Sequence, residues 1–581
     1  MSFSAARLGC LVVLFACASA ARAAGPQAAD LLPAATHQFL SVPDAAKMKA
    51  DWKRTRLARL AEEPGIEAAL TQATQRGIDG LGLGIRWADL EAAGGEAAWA
   101  FVQSAPEQTG RVFLLDTTGK PDAAKKLLAD LSRRLGKSEY GLSRQTIDAV
   151  EVRIADKDGR VRCLALRGTF LILTSNLATM KAVLPGKRET NLAGVKGYRE
   201  VRKRSLAQTK TTPSAFVYTA PFELAKARKL LVPLARPGRD LLALAERQGF
   251  DALEAVGSCV CFGTEAHELS YHVAVYAPGP YRNAARLLRF SSGKAFEPPD
   301  WVPADLAACA TLYFDASKGL SALGSVFDEV YGNGKKGTFD SIANDWKNDP
   351  NGPKVDVEKD FVGHLTRRVT LVSDADSILG PHAARILVAI EATNPAAVSR
   401  SLRRMLETDE EIIRRDIKGV VVWEIVPRPM KRTPGSKRSP APPSSAVCVA
   451  HGHLILANNI RLLERILTKG ETPLAKDADF ERVRAELGRL SPATVALRAY
   501  SRPDRDFRSA YDALRSGMLA ESKSLYAVLL AHFIGGDNAL FAPKKLPPFD
   551  RLAPCFGPAG MFVVPTEDGF VLNGFFLRRK P

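Results

Sequence analysis

"GTFLILTSNLATMKAVLP", residues 168–185, returns as "GHLILANNIRLLERILTK", residues 452–469, with its apolar positions in the same register. Each stretch reads as a short apolar strand, a polar junction and a helix whose apolar residues recur three and four apart. Asn176 falls opposite Asn459, Met180 opposite Leu463, Val183 opposite Ile466 and Leu184 opposite Leu467. The shared asparagine stands at the strand-to-helix junction, where its side chain can accept a hydrogen bond from an otherwise unpaired first-turn amide.

The echo extends outward. "RVFLLDTTGKPDAAKKLLADLSRRL" (111–135) runs beside "RILVAIEATNPAAVSRSLRRMLETD" (385–409) at a constant shift of 274 positions. Pro121 meets Pro395, each opening a helix where the missing N–H is harmless and the fixed φ already suits helical backbone. "EVRIAD" (151–156) faces "VWEIVP" (422–427) at a shift of 271, and by Leu173 and Leu456 the shift is 283. The twelve extra residues lie in "PRPMKRTPGSKRSPAPPSS" (427–445), whose prolines, serines and basic residues read as an exposed hairpin loop inserted into the second copy. "YREVRKR" (198–204) matches "FERVRAE" (480–486), and "SAFVYTAP" (214–221) matches "ATVALRAY" (493–500). "LLPAATHQFLSVPD" (31–44) pairs more loosely with "WVPADLAACATLYFD" (301–315), and "CFGTEAHELSYHVAVY" (261–276) with "CFGPAGMFVVPTEDGFVLNGFFL" (555–577), each of the latter a closing hairpin.

These matches predict two tandem copies, at 31–290 and 301–578, joined by the linker 291–300, "SSGKAFEPPD". Units this long are duplicated domains, not the ~20 to 50-residue repeats of a solenoid. Alternating strands among amphipathic helices predict the class α+β, each copy a mixed, largely antiparallel sheet covered by helices on one face.

The chain has 581 residues, 46% hydrophobic and 25% charged, which is ordinary globular composition. Its first residues place Arg7 ahead of the apolar run Leu8 to Ala18 and then Ala21-Arg22-Ala23, the layout of a secretory signal peptide over 1–23. A lipoprotein reading through Cys17 meets the bulky Phe15 where such signals want a small residue. Elsewhere no run of ~18 apolar residues spans a bilayer. The mature chain is therefore expected to be exported, periplasmic or extracellular, with no transmembrane segment after signal cleavage.

A net charge of +18 implies weak attraction to polyanions. Lys125, Lys126, Arg133 and Arg134 read as solvated helix faces, and no aromatic-plus-basic or helix-turn-helix pattern points to specific nucleic acid binding. Six cysteines follow the signal region, single except for Cys259-Val-Cys261, and without a CxxC pair they read as small buried hydrophobes.

Five motifs invite a chemistry that their context denies. In "HELSYH" (267–272) the histidines are five apart, not the four that a zinc-protease helix needs, and alternation makes the segment a strand with the two imidazoles on opposite faces. "HGH" puts His451 and His453 on one strand face, where a third ligand from elsewhere would complete a metal site; the first copy has Arg167 and Thr169 there, so the fold does not need the pair, which reads as surface or half-buried. "GNGKKG" (332–337) follows a predicted helix, whereas a dinucleotide fingerprint follows a strand. "KNDPNGPKVDVE" (347–358) offers Asp349, Asn351, Gly352 and Glu358 at calcium-loop offsets, but Lys347 takes the first ligand position and Pro350 and Pro353 stiffen the turn. "SSGK" (291–294) fits SxxK without SDN or KTG elsewhere.

The signal peptide, "LLPAATHQFLSVPD" followed by the basic helix "AAKMKADWKRTRLARL" (45–60), the segment "VDVEKDFVGHLTRRVTLV" (355–372) and the doubling together resemble large exported bacterial proteins carrying a duplicated domain of unknown function. The resemblance implies envelope or extracellular placement and no assigned activity. The expectation is a structural or binding protein that contacts an envelope protein, a glycan or another polyanion, with no catalytic, cofactor-binding or metal residues. The alternative is an envelope hydrolase with its site between the copies, drawing on His451, His453 or the Asp349/Glu358 region.

Overall fold

A computed structural model describes residues 27–67, 85, 87–185, 190–209, 211–231, 240–375, 384–427, 443–468, 472–519 and 546–579. The expected signal peptide (1–23) and positions 428–442 of the expected loop lie outside the described residues.

The N-terminal half contributes β1 (Thr36–Val42), β2 (Ala97–Ala105), β3 (Gln108–Asp116), β4 (Gly141–Ile147), β5 (Val150–Lys157), β6 (Arg160–Arg167), β7 (Phe170–Thr174), β8 (Ala215–Thr219), β9 (Ala255–Phe262) and β10 (His267–Tyr276). The C-terminal half contributes β11 (Ala308–Tyr313), β12 (Leu365–Ala375), β13 (Ala384–Ala392), β14 (Ile412–Ile417), β15 (Val420–Ile425), β16 (Ser445–Ala450), β17 (His453–Ala457), β18 (Leu497–Ser501), β19 (Ala559–Thr566) and β20 (Gly569–Leu577). All twenty join in one antiparallel sheet. From its outer edge inward the first half runs β4-β5-β6-β7-β3-β2-β1-β8-β9-β10. The second runs β14-β15-β16-β17-β13-β12-β11-β18-β19-β20 in the same sense.

The halves meet where β10 pairs with β20, from Tyr276 opposite Gly569 to His267 opposite Leu577. The segment 291–300 lies against the second half, with Gly293 paired to Val495 and Lys294 to Thr494. Each outer edge strand, β4 and β14, carries arginine (Arg144, and Arg414 with Arg415), a charge that discourages further strand addition.

Helices cover both faces of the sheet, not the one face that the alternation predicts. In β3, Val112 and Leu114 join the core under the helices Leu177–Val183 and Lys196–Leu206, whereas Phe113 and Leu115 join a second core under Ala45–Lys53 and Pro121–Lys137. The second half repeats this division, with Val422 and Ile455 on one side, and Trp423 and Leu454 on the other beneath Pro395–Leu406. The reason is legible in the letters: "VFLL" and "FLIL" are apolar at every position, and a strand without a polar face must be buried twice.

The junction residues fold as the opening stretch suggests. Asn176 Oδ1 accepts from the Thr179 amide at 2.8 Å, and Asn459 Oδ1 from the Arg461 amide at 2.9 Å, each capping its helix. Met180 and Leu463, one turn later, are both fully buried. Pro121 and Pro395 both open helices.

Two expectations fail in detail. Cys261 and Phe262 end β9, inside the β9–β10 hairpin, but Cys555 and Phe556 precede the β19–β20 hairpin, so the shared Cys-Phe-Gly is a coincidence of letters. Arg134 is not a solvated helix cation like Lys125, Lys126 and Arg133: half-buried, it pairs with Asp89 at 2.8 Å. Among the described residues no helix is long and apolar enough to cross a membrane.

Candidate functional site

Beside the seam, the two halves leave a cleft of about 2110 Å³, open to solvent. One wall is N-terminal: the end of helix Leu241–Arg247, the turn after β10 and the 3-10 turn Asn283–Leu288. The other is C-terminal: helices Ala316–Val330 and Thr338–Asn348, the stretch from Asp356 to Glu358 and the β19–β20 turn. Contacts between the walls tie them together. The Ser325 hydroxyl donates to Gln248 Oε1 at 2.8 Å, Gln248 Nε2 donates to the Ser325 carbonyl at 3.2 Å, and Arg247 pairs with Glu329 at 2.6 Å. Gly249 makes the first wall possible. At φ +82° it lets the chain turn, and a Cβ there would stand 2.7 Å from the Arg282 carbonyl oxygen.

The walls differ in charge. Lining the N-terminal one are four arginines (Arg247, Arg282, Arg286 and Arg289) and one carboxylate, Glu246. The C-terminal wall carries three lysines and seven carboxylates, Asp340 and Glu567 among them. Arg282 is neutralised by Asp251 at 3.0 Å, while Arg286 reaches across to the Ser321 hydroxyl at 3.3 Å. Asp356 is held below the usual carboxylate range, first by the Lys359 amide and then by Lys347.

No histidine or cysteine lines the cleft among the described residues. Its hydroxyls are occupied by groups other than imidazole: Ser317 donates to Glu358 Oε1 at 3.1 Å and Ser325 to Gln248, while Ser321 accepts from Arg286. A serine nucleophile needs a base that takes its proton, and among the serines lining the cleft only Ser317 is set against a carboxylate, Glu358.

Two motifs from the sequence converge here. Gly334, Lys336 and Gly337 of "GNGKKG" reach the cleft from a loop between two helices. The Asp328 carboxylate already accepts from the Gly337 and Phe339 amides, at 2.7 and 2.8 Å, so the groups that would cradle a phosphate are taken by the chain's own anion. Of the 347–358 stretch, Lys347, Asp356 and Glu358 line the cleft, whereas Asp349 turns back to the Asn351 amide at 2.8 Å. Lys347 pairs with Asp356 at 2.9 Å.

The other motifs lie elsewhere. His451 and His453 flank the indole of Trp301, with centroids at 6.0 and 5.6 Å, and His453 Nδ1 bonds the His451 carbonyl at 2.7 Å. Among the described residues no three His, Cys, Asp or Glu side chains gather as a metal site. Cys259 and Cys261 are buried and unpaired, and burial pushes the Cys259 thiol up to about 12, far from a thiolate nucleophile.

"HELSYH" is a strand as its alternation predicts, but its histidines share one face. A bulge between His267 and Leu269 rotates the chain, so that His267 stacks on Phe575 at 5.1 Å while His272 bonds Asn573, two residues along the same partner strand, at 2.8 Å. His267 Nε2 also meets Glu486 of the C-terminal half at 2.6 Å, beside Arg489. Burial holds both imidazoles below their ordinary value, against the pull of Glu486 on His267 and of Asn573 on His272. A folded pKa below 6.5 means that acid adds protons first to the unfolded chain. These two groups therefore stabilise the fold above pH 6.5, and the contribution is lost as pH falls toward their folded values. Melts between pH 7 and pH 5 should show a decline that His272→Gln flattens; an unchanged slope would remove His272 from the account.

Sequence reading missed the arginine wall. Its signal was the run "YRNAARLLR", with Arg282, Arg286 and Arg289 spaced four and three apart, but only the fold sets them opposite helices from the other half. Comparison with protein-family models, with curated proteins and with solved structures finds no match for this chain.

Proposed function

We propose that this is an exported protein of duplicated construction that binds a partner in the cell envelope or extracellular space and does not transform it chemically. The doubling is supported by the identical strand order of the two halves together with the matched capping asparagines, helix-opening prolines and buried apolar positions. Export is supported by the charge and apolar pattern of residues 1–23.

The observation that carries the binding reading is the cleft itself. It is a preformed concave surface built from both halves, rich in charged groups, with each serine hydroxyl set against a carboxylate, an amide or a guanidinium. The envelope-hydrolase reading draws support from the cleft's position between the halves and from Glu358 within it. Against it stand His451 and His453, which sit at Trp301, and Asp349, which faces its own turn. Metal analysis of purified mature protein should find no stoichiometric zinc or calcium, and activity screens on esters, peptides and glycans should be negative. Turnover abolished by Ser317→Ala or Glu358→Gln would overturn the binding reading in favour of the hydrolase.

A further inference from the structure

We infer that the cleft takes a polypeptide segment carrying charges of both signs, in preference to a polyanion; this rests on the binding reading above. Three observations converge on it. The first is size. At about 2110 Å³ the cleft exceeds the ~300–1000 Å³ typical of small-molecule pockets, and its openness suits a chain that enters and leaves.

The second is charge balance. The whole chain is +18, yet the cleft holds seven cations and eight carboxylates, so the surplus that would draw a polyanion is spread elsewhere. The third is the separation of sign. The arginine-rich wall faces the carboxylate-rich wall, and a ligand of one sign would be attracted by one and repelled by the other. A segment with acidic and basic side chains on opposite sides satisfies both, and electrostatic complementarity of this kind fixes register and excludes wrong partners. Ser321, whose hydroxyl accepts from Arg286 and keeps its own proton to donate, and Asn283, whose amide nitrogen donates to the Arg247 carbonyl and whose oxygen is left to accept, both line the cleft and suit a peptide backbone, which presents a donor and an acceptor at every residue.

The test is selection of a phage-displayed random peptide library on the full mature protein, with heparin as the polyanion. Binders are then measured on Arg286→Glu/Arg289→Glu and on Asp340→Lys/Glu567→Lys. All four positions are exposed, and surface changes of this kind leave the fold intact; circular dichroism checks that they do. The expected result is enriched peptides with both acidic and basic residues whose affinity falls about tenfold or more in each double variant, about 1.4 kcal/mol or more per charge reversal set. Heparin binding should be weak and salt-sensitive, and should rise in the Asp340→Lys/Glu567→Lys variant only as its net charge rises. If heparin binding is instead lost in the arginine variant while selected peptides are indifferent to it, the peptide inference fails and the cleft stands as a polyanion site. If neither ligand responds to either variant, the cleft is no binding site and the proposed function falls with it.

Discussion

Met180→Ala and Leu463→Ala should each lower stability by about 2–5 kcal/mol, the range for truncating a fully buried long apolar side chain. Both residues are completely buried, and both stand four positions beyond a capping asparagine on a short helix pressed against the sheet. Met180 packs in the core that contains Ile172, and Leu463 in the core that contains Ile455, residues offset by the same 283 positions. Each truncation leaves a cavity in a close-packed core that can collapse only in part to fill it. Denaturation measured by circular dichroism should show two losses of similar size. A near-neutral result at one position and a full loss at the other would mean that the two sites are not packed alike, and would weaken the case for a doubled unit.

Gly569→Ala should destabilise by about 3 kcal/mol, since strained backbone and a forced shift each cost on the order of 1–3 kcal/mol. Gly569 has φ +129°, and a Cβ built there would stand 2.1 Å from the Val275 carbonyl oxygen. That oxygen belongs to β10, so relief requires the strands at the seam between the halves to separate. Gly119→Ala is the control: φ is +78° but nothing lies within 4 Å of the new Cβ, and about 1 kcal/mol is expected. Equal losses would show that backbone conformation alone explains Gly569. A loss confined to Gly569, with weaker protection of β10 and β20 amides in hydrogen exchange, would locate the cost at the seam.

Reading from letters succeeded where burial and chain geometry speak locally. An asparagine before an apolar helix, a proline at a first turn and a period of two or of three and four are short-range signals, and the caps of Asn176 and Asn459 follow directly from them. The same reading failed at "HELSYH", where a bulge of one residue put His267 and His272 on one face. A single inserted residue shifts side-chain direction without altering composition, so alternation cannot reveal it. It failed also at the number of covered faces: the alternating strands suggest one buried face, whereas β3 and β7 carry apolar side chains on both and need helices on each.

By itself, the sequence determined the elements, their caps, the antiparallel character and the matched core positions of the two halves, because these depend on interactions within a few residues. Only the tertiary structure decided that β10 and β20 join twenty strands into one sheet, and that Arg286 and Arg289 confront Asp340 and Glu358 across a cleft. Charges this far apart in the chain carry no mark of one another; they meet because apolar burial fixes the scaffold first, and the scaffold then dictates which surfaces face each other.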